Sequence, residues 1–238
     1  MKVKRWKTIT MFTIICSVIL SNSLSYAYTA NYVDMRVLMN QTFYEANPGG
    51  ISTAKNIVNT AKYPFAQKWN IILNASYVMV GPLPVESCPL SNNTHCSAST
   101  CGSTTSCTNS TSNNIHHKNI SKNLNIVKNS FSLSPYDLMT TFIGTYACSK
   151  NDSTHTFPAG VADVRGSYSI CTFVSTATTN FKVRALQHEI SHNFGCSHCQ
   201  GYSTQACIMK GSYDLNTSNL PDIWCTYCEN NYFDRLLH

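Results

Sequence analysis

Apolar and polar positions recur along this chain at spacings that predict most of its elements. Residues 32–39 read as a first strand. Ile51, Ala54, Ile57, Val58 and Ala61 recur at helical spacing, predicting an amphipathic helix from Gly50 to about Tyr63, ended by Pro64. Over residues 69–80, Ile71, Leu73, Ala75, Tyr77 and Met79 alternate onto one face, the mark of a strand. From about residue 88 to 130 the chain turns to Ser, Thr, Asn and Cys with almost no apolar period. That composition predicts a long surface loop inserted into the domain and stapled in part through Cys88, Cys96, Cys101 and Cys107. Ser134-Pro135 has the form of an N-cap followed by a first-turn proline. With Asp137 in the first turn and Gly144 as the stop, a helix is expected there. Short strands follow at residues 159–164 and 170–174. A last helix starts near Asn180 and carries Val183, Leu186, Ile190 and Phe194 as its core stripe.

The first residues add a targeting segment to this pattern. Lys2, Lys4, Arg5 and Lys7 precede an apolar run over 9–20, and Ser25-Tyr26-Ala27 offers a cleavage site. Residues 1–27 therefore read as a secretory signal peptide cut after Ala27, with an uncleaved N-terminal anchor as the alternative. The apolar run is short for a membrane span, and no stable membrane anchor is expected. Residues 28–238 then form one domain of a secreted protein. The formal charge of +6 falls to near +2 once the four basic signal residues are gone, so nothing points to nucleic acid. All the cysteines but Cys16 lie beyond the signal, and in an oxidising compartment most of these eleven are expected to pair. Asn-x-Ser/Thr sequons begin at Asn40, Asn74, Asn92, Asn109, Asn119, Asn151 and Asn216, and matter if the host glycosylates. A metal site from the insert's cysteines with His95, His116 and His117 fits no spacing of a metal motif, and disulfides are the favoured reading there.

The chemistry is concentrated in residues 188–198. His188 and His192 stand four apart, so on a helix both imidazoles share one face and reach one metal. Glu189 follows the first histidine and is placed to hold a metal-bound water. Gly195 can stop the helix in a left-handed conformation, which brings His198 round as third ligand. Three imidazoles leave a fourth position open, the arrangement of a catalytic zinc site. Three histidines and a glutamate are costly to bury without a metal to balance them. Downstream, Met209 in Cys207-Ile208-Met209 is expected in a tight turn beneath the metal.

In these residues the chain resembles a metzincin metallopeptidase. It is most similar to the adamalysin/reprolysin type, the catalytic domain of the ADAMs. The match runs from His188 to His198 with Asn193 in place, and Cys207-Ile208-Met209 is similar to that family's Met-turn triplet. Weaker echoes are Asp137-Leu138-Met139-Thr140-Thr141, resembling the helix before the substrate-edge strand, and Gly160-Val161-Ala162-Asp163, resembling that strand. Trp224-Cys225 and Tyr232-Phe233-Asp234 resemble the closing helix. The resemblance implies an α/β fold: a twisted, mostly parallel five-stranded sheet with one antiparallel edge strand, an active-site helix and a small irregular C-terminal subdomain. One departure is Cys199, where reprolysins carry Asp. With Cys207, Cys225 and Cys228 it resembles the archaemetzincins, whose four cysteines hold a second, structural zinc. In a secreted protein disulfides are the favoured alternative, and Cys148 bonded to Cys225 or Cys228 would match the reprolysin pattern.

The activity this implies is a secreted zinc endopeptidase acting on protein or peptide. Zinc would be held by His188, His192 and His198, with Glu189 as general base and acid and Met209 as the floor of the site. A free thiol such as Cys196 is a candidate cap on the metal. The rival reading is a secreted binding protein on the same scaffold, engaging partners through the insert at 88–107. An intact Glu189 and an intact ligand set favour the enzyme.

Overall fold

Val33, Met35, Val37 and Met39 alternate along the first strand and are all buried on one face. Leu38 between them is buried on the other. A strand apolar on both sides belongs inside a covered sheet, and in the computed structural model that is where it lies. The structure describes residues 30–81, 83, 110–145, 159–174, 177–199, 207–211 and 223–231. Five strands form one sheet: β1 (Asn31–Met39), β2 (Ile71–Val80), β3 (Leu138–Thr145), β4 (Gly160–Ala162) and β5 (Tyr168–Val174). Their order is β2-β1-β3-β5-β4. All pairings are parallel except β4 with β5, so the expected α/β sheet with one antiparallel edge strand is present.

Helices cover both faces. On one side lie α1 (Gln41–Ala46), α2 (Ile51–Trp69) and α4 (Thr179–Asn193), packed on Phe43, Phe65, Phe142 and Phe173. On the other lies α3 (Ser110–Ser130), whose Ile120, Leu124 and Val127 pack on Leu38, Met139, Ile143 and Ile170. A short α5 (Thr226–Asn231) follows Cys225. Among the described residues no helix is long and apolar enough to cross a membrane.

Three expectations are corrected. The second half of the presumed surface loop is α3, and its apolar stripe at 120, 124 and 127 roofs the second face of the sheet. Pro64 does not end α2, which continues to Trp69 and closes with Asn70 in the left-handed conformation. Asp137, Leu138 and Gly144 do not form a helix. Residues 138–145 are the central strand β3, and Asp137 instead accepts the Asp34 backbone N–H at 2.8 Å. Gly144 is there because α1 crosses β3 closely, where a Cβ would collide with the Phe43 backbone.

The Asn40 sequon also has a structural use. The buried Asn40 Oδ1 accepts from the N–H of Phe43 and of Gly144, both at 2.9 Å, capping α1 and tying it to β3. Cys88 through Cys107, Cys148, and Tyr232 through Asp234 lie outside the described residues.

Candidate metal centre

Helix α4 begins at Thr178, whose hydroxyl accepts from the Phe181 N–H, and its apolar stripe is seated on the sheet. It ends as expected of a glycine stop. The Gly195 N–H bonds the His192 carbonyl at 2.8 Å and the Cys196 N–H bonds the Ser191 carbonyl at 2.9 Å, with Gly195 at φ +98°. This pair of bonds is a Schellman motif, which reverses the chain with the last carbonyls satisfied. Asn193 fastens the same end to the β4–β5 turn, donating to the carbonyls of Asp163 and Tyr168.

The reversal brings the three histidines together. The Nε2 atoms of His188 and His198 are 3.0 Å apart, those of His192 and His188 3.1 Å, and those of His192 and His198 3.2 Å. The Nδ1 atoms of His188 and His192 face the carbonyls of Ile208 at 2.9 Å and Cys196 at 2.6 Å. A carbonyl only accepts, so each Nδ1 carries a proton and, in a neutral ring, each Nε2 presents a lone pair. Burial holds both rings neutral, lowering His188 well below the usual range and His192 to about 4. Two lone pairs 3.1 Å apart repel unless a cation lies between them. The triad is thus a set of three nitrogen donors able to hold a metal ion.

Glu189 is buried beside β4, and its Oε2 has no hydrogen-bond partner among the described residues. Desolvation raises this carboxyl to about 8 in the metal-free protein. A Cβ at Gly160 would lie 2.7 Å from both Cγ and Oε1 of Glu189, so the edge strand approaches it through a glycine. Cys171, opposite Gly160 in the β4–β5 register, is a buried free thiol held far above its ordinary pKa by burial, with Glu189 adding to the effect.

The four cysteines in doubt also converge. Cys199, Cys207, Cys225 and Cys228 form no disulfide, and their Sγ atoms all lie within 4.8 Å of one another. Cys199 stands 3.0 Å from Cys207, 3.4 Å from Cys225 and 3.1 Å from Cys228. A disulfide requires about 2.05 Å, so the favoured pairing into disulfides gives way to one four-thiol cluster able to hold a metal. Cys207 Sγ accepts the backbone N–H of Met209 at 3.3 Å and of Cys225 at 3.2 Å. These bonds, with the Cys228 thiol the strongest influence, pull Cys207 below the ordinary thiol range. Cys196 is buried against Cys228 at the edge of this cluster, and hydrogen-bonds the Ser197 carbonyl. Met209 is fully buried in the same core.

The spacing of 188–198 placed every histidine of the triad. It gave no sign of Gly160, Cys171 or the Ile208 carbonyl, which reach the site across the sheet and from a separate segment. No protein-family model and no curated protein matches the chain. Among solved structures it is similar to metalloproteinase-II from Bacteroides fragilis, at 10% identity and a TM-score of 0.43. The likeness covers 85% of this chain and 52% of that one, so the chain spans about half the length of that protein. The chemistry of the site rests on its own side chains.

Proposed function

We propose that this protein is a secreted zinc endopeptidase of the metzincin type, acting on protein or peptide. One observation carries the reading: three histidine Nε2 atoms within 3.2 Å of one another, with Glu189, the residue directly after His188, buried and one of its carboxyl oxygens unpartnered among the described residues. Three nitrogens at about 2.0–2.1 Å from a tetrahedral zinc stand about 3.3 Å apart, close to the separations here. Zinc bound there supplies a Lewis acid and lowers the pKa of a bound water to about 7. Glu189 would serve as general base and acid there, holding on its free Oε2 the proton that passes from the water to the leaving amine. Burial by itself favours the protonated carboxyl, and the positive charge of a metal on the histidines would restore the ionised base. The peptide is proposed to add as a strand along β4, the short antiparallel edge that borders Glu189 through Gly160.

The four thiols fit a structural zinc. Sulfurs about 2.3 Å from a tetrahedral zinc stand about 3.8 Å apart, within the 3.0–4.8 Å range of this cluster. Secretion, read from residues 1–27, makes the metal more necessary, since bare neighbouring thiols oxidise in such a compartment. The finer adamalysin/reprolysin assignment rests on the sequence resemblance at Cys207-Ile208-Met209 and Gly160-Val161-Ala162 alone. It loses one echo, because Asp137 to Thr141 meet a central strand rather than a helix. The rival binding-protein reading rests on the insert at 88–107, outside the described residues, and no observation favours it. Cleavage of a quenched peptide library, run beside Glu189→Ala and a chelated control, tests the proposal. Activity is expected to vanish in both controls; cleavage surviving Glu189→Ala would remove the mechanism.

A further inference from the structure

The segment Cys207-Ile208-Met209 belongs to both metal-capable clusters at once. Cys207 is one of the four thiols, and its Sγ is held by the N–H of Met209 and of Cys225. The next carbonyl, that of Ile208, fixes the tautomer of His188 through its Nδ1 at 2.9 Å. The Met209 carbonyl accepts the Cys199 N–H at 3.1 Å, and Cys199 directly follows the ligand His198. On the far side, the Ile208 N–H bonds the Ile223 carbonyl at 2.7 Å, two residues before Cys225. Arg184 of α4 donates to the Cys207 carbonyl at 3.0 Å, and Trp224 donates to Ser191 of α4 at 3.0 Å.

The histidine site therefore draws its outer support from a segment whose own place is set by the thiols. Residues 188–199, 207–211 and 223–231 are separate stretches of chain, and the four Sγ atoms are where all three meet. We propose that the thiol cluster positions the histidine site: metal on Cys199, Cys207, Cys225 and Cys228 fixes the Ile208 carbonyl and His198, so the sites fill in order, thiols first. This rests on the reading of both clusters as zinc sites. Ile208 acts as a positioning residue through its backbone, with Cys207 and Cys199 as the anchors on either side. Outer partners of metal-bound histidines typically control affinity by about 10–100-fold. By linkage the effect must be the same in both directions.

Cobalt(II) distinguishes the sites, because only the thiol site gives intense sulfur-to-metal charge-transfer absorption. The metal-free, reduced full chain is titrated with cobalt(II) and binding at each site is followed separately. The first equivalent is expected to saturate the sulfur band, and the second to add only weak visible bands. In Cys228→Ser, remote in sequence from the histidines, dissociation of cobalt from the histidine site should rise by about 10–100-fold. In His192→Ala, cobalt on the thiols should be held about 10–100-fold less tightly than on the thiols of the fully loaded wild-type chain, a measurement that serves even where Cys228→Ser fails to fold. Unchanged affinity at the intact site in either folded variant overturns the coupling. So does a wild-type chain whose histidine site fills before the sulfur band appears. A wild-type chain that takes one equivalent on sulfur and no second overturns the histidine zinc site itself, and the coupling with it.

Discussion

Gly160 is the residue against which the Glu189 carboxyl rests. A methyl group there would lie 2.7 Å from Glu189 Cγ and Oε1 and 2.5 Å from the Ile170 carbonyl oxygen, distances that side chains do not tolerate. The Ile170 carbonyl is backbone within the paired sheet and has little room to give, so the carboxyl must move. Displacement of a catalytic group by about 1 Å costs on the order of 10²-fold in rate. Gly160→Ala should therefore lower kcat by about 10²-fold while metal content, measured by elemental analysis, stays at the wild-type value. Loss of metal along with activity would place the damage in the histidine triad instead. His188, Glu189, His192 and His198 were legible in the sequence because one helix and one turn fix them by spacing alone. Gly160 was not, since its constraint comes from a side chain brought against it by sheet and helix packing.

At the scale of the element, the end of α4 is the joint on which the triad depends. Gly195 sits at φ +98°, and both Schellman hydrogen bonds require that reversal. A side chain in this left-handed region costs about 1–2 kcal/mol, and relief of that strain would swing His198 away. Gly195→Ala should lower the unfolding free energy from chemical denaturation by that amount and weaken metal binding at the histidines; full affinity with lower stability would show that His198 is held by Cys199 alone. Asn40 is the parallel case at α1. Its side chain satisfies two buried N–H groups, so Asn40→Ala should cost about 2 kcal/mol in chemical denaturation. Mass spectrometry of protein made in a glycosylating host should find no glycan on folded Asn40. The glycine stop of α4 was readable because it is local. Helix α3 was obscured by its Ser, Thr and Asn, although Ile120, Leu124 and Val127 kept helical spacing. β3 was misread because Ser134-Pro135 and Gly144 carry helix signals, while its buried Thr140 and Thr141, flanked by Met139 and Phe142, answer to neighbours on both sides.

Across the whole molecule, the sheet and the C-terminal segments are held by different forces. The sheet is closed by apolar packing on both faces. Residues 207–211 and 223–231 contribute few secondary-structure bonds and meet at four thiols. Trp224 joins the two regions, with its ring 4.9 Å from Phe65 and 6.1 Å from Trp69. Its indole N–H reaches Ser191 on α4. Metal bound on the thiols would then be folding free energy for this region. A site with free metal at about 100-fold its dissociation constant contributes about 2.7 kcal/mol, or about 5–10 °C in a domain of this size. Trp69 and Trp224 are the tryptophans of residues 28–238, so in that stretch tryptophan emission reports on this junction. Stripping the metal with a strong chelator under reducing conditions should shift that emission to the red and lower Tm by about 5–10 °C. The far-UV signal of the sheet and helices should persist through the shift, because the strand pairing and the packing of α3 on the sheet's second face involve none of the thiols. Trp224→Phe should remove most of the change. Emission and far-UV signal lost together on chelation would mean that the metal holds the entire domain. Neither moving would mean that the thiol cluster closes without one.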